Sequence, residues 1–167
     1  NNDFRNNFLD SILSKGDWHS LFYNNTANIT GSSYAWVVSS NDADNREGLN
    51  QTWTDNYASG TPDNYCIRIY ENASATFINT TCEGGDIDVA SNNSNFTRKW
   101  YFDSSVNVNN TNITITNSTG SVIYSSLVNI SVPKQTLFQY INLSGTATDY
   151  SNHTISASVS GYTTNTT

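Results

Sequence analysis

The chain has 167 residues, a formal net charge of −7 and only 13% charged residues. Its length suits one domain or two small ones. Seven scattered basic residues are a poor match to a phosphate backbone, so we expect no nucleic-acid partner. We also expect no membrane insertion, because no apolar run is long enough to span a bilayer and no basic amphipathic helix is present.

Solubility has to come from uncharged polar residues, since the chain holds 26 Asn, 21 Thr and 23 Ser. Asn-x-Ser/Thr acceptors number about twice what chance placement predicts. The excess favours an N-glycosylated, extracellular protein, either secreted or on a cell surface. The alternative is a polar composition that makes acceptors by accident. The predicted acceptors are Asn24, Asn28, Asn50, Asn72, Asn79, Asn92, Asn95, Asn109, Asn112, Asn117, Asn129, Asn142, Asn152 and Asn165.

The first segment, residues 1–16, admits two interpretations. Phe4, Phe8 and Ile12 recur at a spacing that places them on one face of a helix. The same residues, separated by polar ones, also fit an extended strand. We favour the helix, and we keep an assembly strand that is donated to another chain as the second prediction.

Residues 17–97 are predicted to form a β-rich region with one disulfide. Short apolar runs at 18–23, 33–38, 65–70 and 75–82 suit strands, and residues 41–64 are expected to be mostly loop. In an extracellular chain the pair Cys66 and Cys82 is most simply a disulfide, joining a hairpin or two neighbouring strands. The polar residues 91–97 mark the predicted boundary with the next domain.

Residues 98–167 carry the clearest strand signal. Ile113 and Ile115 alternate with polar residues, residues 117–120 (NSTG) have turn chemistry, and Val122 begins a second strand. Further strands are predicted at 136–143 and 153–160. Regular spacing of short strands and turns indicates a β-sandwich.

This half resembles the carboxypeptidase regulatory-like domains, a transthyretin-type sandwich close to Ig-like modules. The resemblance rests on KWYFDSSVNV, NITITNSTGSVIYS, TLFQYINLSG and the closing YSNHTISASVSGYTT. It implies an Ig-like or transthyretin-like sandwich of the kind found in repetitive surface glycoproteins of archaea and bacteria. The family's usual Thr-Asp…Gly signature is replaced here by residues 128–131 (VNIS). The family's last strand normally follows the Gly-Tyr turn, and residues 163–167 contain no apolar residue. We expect either that the chain is cut at this point or that another chain completes the edge, with Phe4, Phe8 and Ile12 as the donated piece.

No arrangement of residues indicates an enzyme. The chain has no Gly-x-Ser-x-Gly elbow, phosphate loop or Cys-x-x-Cys, and neither His has metal-ligand spacing. Residues 42–48 (DADNREG) and the pair Asp86 and Asp88 resemble calcium ligands only weakly. We therefore expect no cofactor other than covalent N-glycans.

Trp36, Trp53, Tyr57 and Trp100 have two interpretations. They suit a sugar-stacking platform, but aromatic residues of β-proteins are more often core, which is the interpretation we favour.

These observations predict a structural subunit of an extracellular, heavily N-glycosylated filament or cell-surface assembly. Copies of the chain would join by β-strand pairing between subunits. The alternatives are a carbohydrate-binding or adhesin module, and an accessory domain of a secreted hydrolase.

Overall fold

The computed structural model describes residues 3–5, 7–9, 12–15, 19–29, 34–39, 50–60, 65–83, 86–90, 93–143, 146–162 and 165–167. All regular secondary structure in these ranges is β-strand, which confirms the all-β prediction. No helix in this part of the chain is long and apolar enough to cross a membrane.

Three parallel sheets build the N-terminal part. The first contains β1 (Asp3–Arg5), β4 (Leu21–Tyr23), β7 (Gln51–Thr54), β10 (Ser74–Ile78) and β13 (Asn95–Ser105). The second contains β2 (Phe8–Leu9), β5 (Thr26–Ile29), β8 (Tyr57–Gly60) and β11 (Thr81–Cys82). The third contains β3 (Ile12–Lys15), β6 (Trp36–Ser39), β9 (Tyr65–Tyr70) and β12 (Asp86–Val89). The chain visits the three sheets in rotation, so it winds as a three-sided coil, which we call the β-helix.

Aromatic side chains from successive turns of the coil stack in its interior. Phe22 pairs with Trp53, and Trp53 with Phe77, in parallel register. Their ring centroids lie 3.8 and 5.4 Å apart, with interplanar angles of 9° and 10°. Turns of a coil repeat at the strand spacing of about 4.8 Å, so equivalent side chains meet face to face. Phe96 ends the stack, 5.5 Å from Phe77.

The C-terminal sheets follow from β13 without a break. β13 pairs antiparallel with β16 (Ser131–Leu143), which pairs with β17 (Thr146–Asp149). A separate antiparallel sheet has the order β15 (Val122–Val128), β14 (Thr111–Thr116), β18 (Thr154–Ser158), β19 (Asn165–Thr166). Both sheets contribute to a second core. Its buried residues are Ile113, Ile115, Val128 and Val132, with Phe102, Val106, Tyr124, Leu137, Ile155 and Ala157 packed against them.

The predicted hairpin around residues 117–120 is confirmed. β14 and β15 pair antiparallel, with Ile113 and Ile115 buried as the alternation predicted. Gly120 takes a φ of +80°, which glycine adopts without strain. That these sheets have Ig-like or transthyretin-like connectivity remains a prediction.

Three other predictions are wrong. The N-terminal helix is replaced by β1, β2 and β3, because each pairs with the next turn of the coil. The prediction that residues 41–64 are mostly loop is wrong for β7 and β8, whose few apolar residues suffice because only one face of each strand lies inside the coil. Residues 41–49 and 61–64 lie outside the described residues. The outer edge of β18, expected to need another chain, is paired by β19 of the same chain.

The predicted boundary between residues 97 and 98 lies within a continuous strand. Residues 95–99 of β13 pair with β10 of the β-helix, and the rest of β13 continues along β16. The first 16 residues likewise supply strands to all three sheets of the coil.

Candidate assembly edges and glycan acceptors

A ladder of hydrogen-bonded polar side chains runs along one corner of the β-helix, between the first and second sheets, with Asn25, Asn56 and Thr80 buried and Asn7 exposed. Asn25 donates from both its backbone N and its Nδ2 to Asn56 Oδ1, each at 2.9 Å. Asn7 donates in the same way to Asn25 Oδ1, at 3.1 and 2.8 Å. Thr80 takes the next place, accepting from Asn56 N at 3.4 Å. The ladder pairs main-chain groups that the corner removes from the sheets.

The ladder residues Asn25, Asn56 and Thr80 each follow a residue with left-handed backbone. Asn24, Asp55 and Asn79 have φ of 51°, 55° and 46°, a conformation that Asn and Asp tolerate better than most residues. The corner therefore separates two adjacent polar residues, one facing in and one facing out. In the pair Asn24 and Asn25, the outward residue is the predicted acceptor and the inward one is not.

Most predicted acceptors lie where a glycan can reach solvent. Asn92 lies outside the described residues, as does the side chain of Asn165. The exposed acceptors are Asn24, Asn28, Asn50, Asn72, Asn79, Asn109, Asn129 and Asn152, and the half-buried ones are Asn95, Asn112, Asn117 and Asn142. Fully buried acceptors are absent from the described set.

Asn117 and Asn79 differ in whether the side-chain amide nitrogen, the atom to which the sugar is attached, already donates a hydrogen bond. Asn117 Oδ1 accepts from Thr119 N, Thr119 Oγ1 and Ser121 N at 3.1, 2.7 and 2.8 Å. This fixes the amide orientation, because an N–H group needs the oxygen as its acceptor, and Nδ2 remains available. Asn79 Nδ2 instead donates to Asp55 Oδ1 at 2.7 Å, so a glycan on Asn79 has to displace that bond.

Cys66 and Cys82 form the predicted disulfide, with Cα atoms 6.1 Å apart. The expectation that they staple a hairpin or neighbouring strands is wrong. Cys66 lies on β9 in the third sheet and Cys82 on β11 in the second sheet, and these strands are not paired. The bond crosses the interior of the coil, where Cys66 is buried and Cys82 packs against the core.

The four aromatic residues considered for a sugar platform do not share a surface. Trp36 and Trp53 are fully buried inside the β-helix, with ring centroids 5.7 Å apart. Exposed Tyr57 donates its hydroxyl to Glu83 Oε1 at 2.6 Å, which raises the tyrosine pKa. Trp100 is half-buried under the guanidinium of Arg98, at 4.7 Å from the ring centroid. The core interpretation is confirmed for Trp36 and Trp53.

Of the residues that weakly resemble calcium ligands, only the side chain of Asp88 lies within the described structure. Residues 42–48 lie outside the described residues, and so does the side chain of Asp86. Asp88 Oδ2 lies 3.2 Å from Arg68 Nε. Within the described part of the chain, no group of three His, Cys, Asp or Glu side chains is placed to hold a metal.

The edges of the four sheets differ in how they are protected against further strand pairing. β2, β11 and β19 have two residues each. β1 carries the ion pair of Asp3 and Arg5 at 2.7 Å, and β3, β12 and β17 each contain a charged residue. Short length and charge are the common devices that keep an edge strand from pairing with another chain.

β15 is the exception among these edges. It has seven residues, VIYSSLV, with no charge and no proline. Val122 and Leu127 are 61% and 67% exposed, and Ile130 just beyond the strand is 74% exposed. Its one irregularity lies at its first end, where Thr116 pairs with Val122 and Ile115 with Tyr124. A long, uncharged, apolar edge is an available template for another strand.

The strands that hold Phe4, Phe8 and Ile12 pair on one side with the second turn of the coil. Each of these strands ends its sheet, so its other side is an edge. The side chains of the three residues lie outside the described set. Their role in assembly remains a prediction.

An apolar groove of about 360 Å³ lies beside the start of β15. Phe138 and Tyr150 form part of its wall, with ring centroids 6.3 Å apart. His153 also lines it, and its Nε2 is buried without a hydrogen-bond partner in the described structure.

Sequence patterns missed the ladder and the exposed edge. The ladder has a signal, a repeated aromatic-x-Asn/Asp-Asn motif at residues 4–7, 22–25 and 53–56, continued by FINT at 77–80. The edge has none, because alternation does not show which strand ends a sheet.

No family model, curated protein or solved structure matches the chain. The resemblance of residues 98–167 to carboxypeptidase regulatory-like domains therefore remains a prediction.

Proposed function

We propose that the chain is a structural subunit of an extracellular, N-glycosylated filament or cell-surface assembly, joined by strand pairing between copies. The observation that carries the proposal is the β15 edge, a seven-residue apolar strand without the short length or charge that protects the other edges among the described strands. No catalytic arrangement enters the proposal. Strand pairing supplies the contacts, and glycans supply the solubility that charge does not.

A filament needs two joints on each subunit. A two-fold joint uses the same surface on both copies, so it closes at a dimer. The second joint in this proposal is the outer edge of the first turn of the β-helix, formed by β1, β2 and β3. It is the weaker of the two joints, because β2 is short and β1 and β3 carry charge. Alternation of the two joints gives an open chain of subunits.

The predicted acceptors support a coat that leaves the edge strand free. Asn117 and Asn129 flank β15, and neither lies within its seven residues. Asn24 and Asn79 project from corners of the coil, away from its paired strands. Glycans there cover surface between the joints.

The test is the assembly state of the glycosylated chain. Sedimentation velocity and negative-stain images should show filaments, and Leu127→Lys should shorten them to dimers by placing a charge on the edge. Thr148→Lys on β17 is the matched control, because it adds the same charge to an edge that is already polar. Mass spectrometry should find occupied acceptors. A monomeric wild-type chain at high concentration, or bare asparagines throughout, contradicts the proposal.

A second experiment tests the role of the first turn of the β-helix in assembly. Removal of residues 1–15 deletes β1, β2 and β3 and should likewise stop growth at dimers, with far-UV circular dichroism confirming that the remaining coil is folded. Filaments of unchanged length would exclude a role for Phe4, Phe8 and Ile12 in assembly.

A second candidate function, a carbohydrate-binding module, is favoured by the groove beside Phe138 and Tyr150. Its volume of about 360 Å³ falls within the roughly 300–1,000 Å³ of ligand clefts. Tyr150→Ala should abolish binding on a glycan array, while Tyr57→Ala should not. An array without signal for the wild-type chain would exclude this function.

A further inference from the structure

The sequence of β15 is nearly symmetric about Ser125. Read outward from that residue, Tyr124 is matched by Ser126, and Ile123 by Leu127. Val122 and Val128 end the strand. In an antiparallel pair of two such strands centred on Ser125, each Ile123 meets the Leu127 of the other copy. A centre at residue 124 places Ile123 opposite Ser125, and a centre at residue 126 places Leu127 opposite Ser125.

The faces of β15 also agree with this pairing. Tyr124 packs against the second core and Val128 is buried in it, so these residues face inward. Ile123, Ser125 and Leu127 are exposed. Pairing about Ser125 places the exposed residues Ile123, Ser125 and Leu127 of the two copies opposite one another. On the other face, Tyr124 lies opposite Ser126 and Val128 opposite Val122 of the other copy. The two sheets then continue as one sheet of eight strands, within the usual range.

The charge distribution favours a second copy as the partner. The chain carries a net charge of −7, so two copies repel each other over most of their surface. Residues 104–133, a run of 30 that includes β14 and β15, contain no Asp, Glu, Lys, Arg or His. Like charges directly opposite across an interface are costly, and none arises where two copies of β15 meet.

We propose that β15 pairs antiparallel with β15 of a second copy about a two-fold axis at Ser125. The joint pairs the seven residues of each strand, three on each side of the axis, and covers Ile123 and Leu127 of both copies. This inference rests on the proposed function and names the partner and register of its joint.

Cysteine cross-linking tests the register directly. In assembled Ser125→Cys protein the two thiols lie opposite each other, since directly opposed Cβ atoms in an antiparallel pair are about 4.5–5.5 Å apart. Mild oxidation or a short bis-maleimide should give covalent dimers and nothing larger. Thr148→Cys on β17 is the matched control and should stay uncrosslinked. The native cysteines do not interfere, because they are bonded to each other.

A mixing experiment separates this register from its neighbours. Ile123→Cys and Leu127→Cys should cross-link when the two variants are assembled together, and at most weakly when each is assembled alone. Assembled protein that cross-links Ser125→Cys no better than Thr148→Cys, or Ile123→Cys alone as well as in the mixture, overturns the inference while the proposed function stands. A chain that does not assemble at all overturns both.

Discussion

The β-helix and the C-terminal sheets are stabilised in different ways. Among the described residues, the β-helix buries fourteen hydrophobic side chains in one cluster, while the C-terminal sheets bury four. All but one of the buried polar side chains also belong to the β-helix, with Thr111 the exception. Among the described residues, large apolar side chains that are more than half exposed, such as Leu127 and Ile130, all belong to the C-terminal part.

The two parts differ in how the main-chain N–H and C=O groups at their turns find hydrogen-bond partners. At the corner between the first and second sheets, the buried side chains of Asn25 and Asn56 pair main-chain groups that the turns leave without partners in the sheets. The described turn of the C-terminal sheets at residues 118–121 is exposed, so water can pair these groups there. Their interior is therefore apolar and small, and apolar surface remains at an edge. We expect the β-helix to supply most of the folding stability and the C-terminal sheets to supply the contacts between copies of the chain.

The largest expected effect comes from Trp53→Ala in the aromatic stack. Trp53 is fully buried and lies against Phe22, Trp36 and Phe77. Loss of a buried aromatic side chain costs about 3–5 kcal/mol. Urea unfolding followed by circular dichroism should show this loss, and the matched variant Trp100→Ala, at a half-buried position, should lose less. Equal losses would mean that the aromatic stack is not the main source of stability.

The second largest expected loss of stability comes from Asn56→Ala in the polar ladder of the β-helix. Asn56→Ala leaves Asn25 N and Nδ2 without their acceptor, and removes the donor to the carbonyls of Phe22 and Thr54. An unsatisfied buried polar group costs about 1–3 kcal/mol, so we expect a loss of about 3–4 kcal/mol in the free energy of unfolding. Asn107→Ala, at an exposed position outside any acceptor motif, should change it by less than about 0.5 kcal/mol. Similar values for both variants would show that the ladder contributes little.

The same two parts differ in how far sequence patterns predict them. The alternation of Ile113 and Ile115 is a local signal with one strand partner close by, and it predicted β14 and its hairpin correctly. The β-helix depends on pairing between residues 18 to 31 positions apart, as in Phe4 with Phe22 and Phe22 with Trp53. This varying interval hides the repeat, and strands as short as two residues show no alternation.

The candidate site was predictable only in part. Acceptor motifs are local, and the described ones indeed lie on exposed or half-buried positions. The disulfide followed from cysteine count, but its place across the coil depends on the winding of the chain. That β15 ends its sheet depends on the order β15-β14-β18-β19, which is set by contacts between residues far apart in sequence.

The disulfide allows the stability of the two parts to be changed separately, because both cysteines belong to the β-helix. The pair is separated by 16 residues, and a loop of this size contributes about 3 kcal/mol by limiting the unfolded chain. The double variant Cys66→Ala and Cys82→Ala should lower the unfolding midpoint of the β-helix, followed by near-UV circular dichroism of its buried tryptophans. In the same denaturant titration, quenching of Tyr150 fluorescence or an NMR signal from the C-terminal sheets should change at a higher denaturant concentration. Simultaneous loss of both signals would show that the two parts unfold as one unit.

The smallest expected effect concerns pH and belongs to the C-terminal sheets. Asp149 at the end of β17 accepts hydrogen bonds from Ser151 Oγ and from Ser151 N, the latter at 2.8 Å, and these bonds hold the pKa of its carboxyl below the ordinary value. The folded state therefore favours the ionised carboxylate. Its contribution to stability is present above the unfolded pKa and is lost as the pH falls through the folded pKa.

Asp149→Asn should remove this acid-dependent component, so that the melting temperatures of the variant and the wild type converge as the solution becomes strongly acidic. Side-chain carboxyl NMR measures the depressed pKa directly, and Asp103→Asn, at an exposed position on β13, is the matched control. We expect the response to be confined to signals from β16 and β17, because the ladder of the β-helix is built from amide and hydroxyl groups that do not titrate. A difference between variant and wild type that stays constant with pH would show that the Asp149 carboxylate is not preferentially ionised in the folded state.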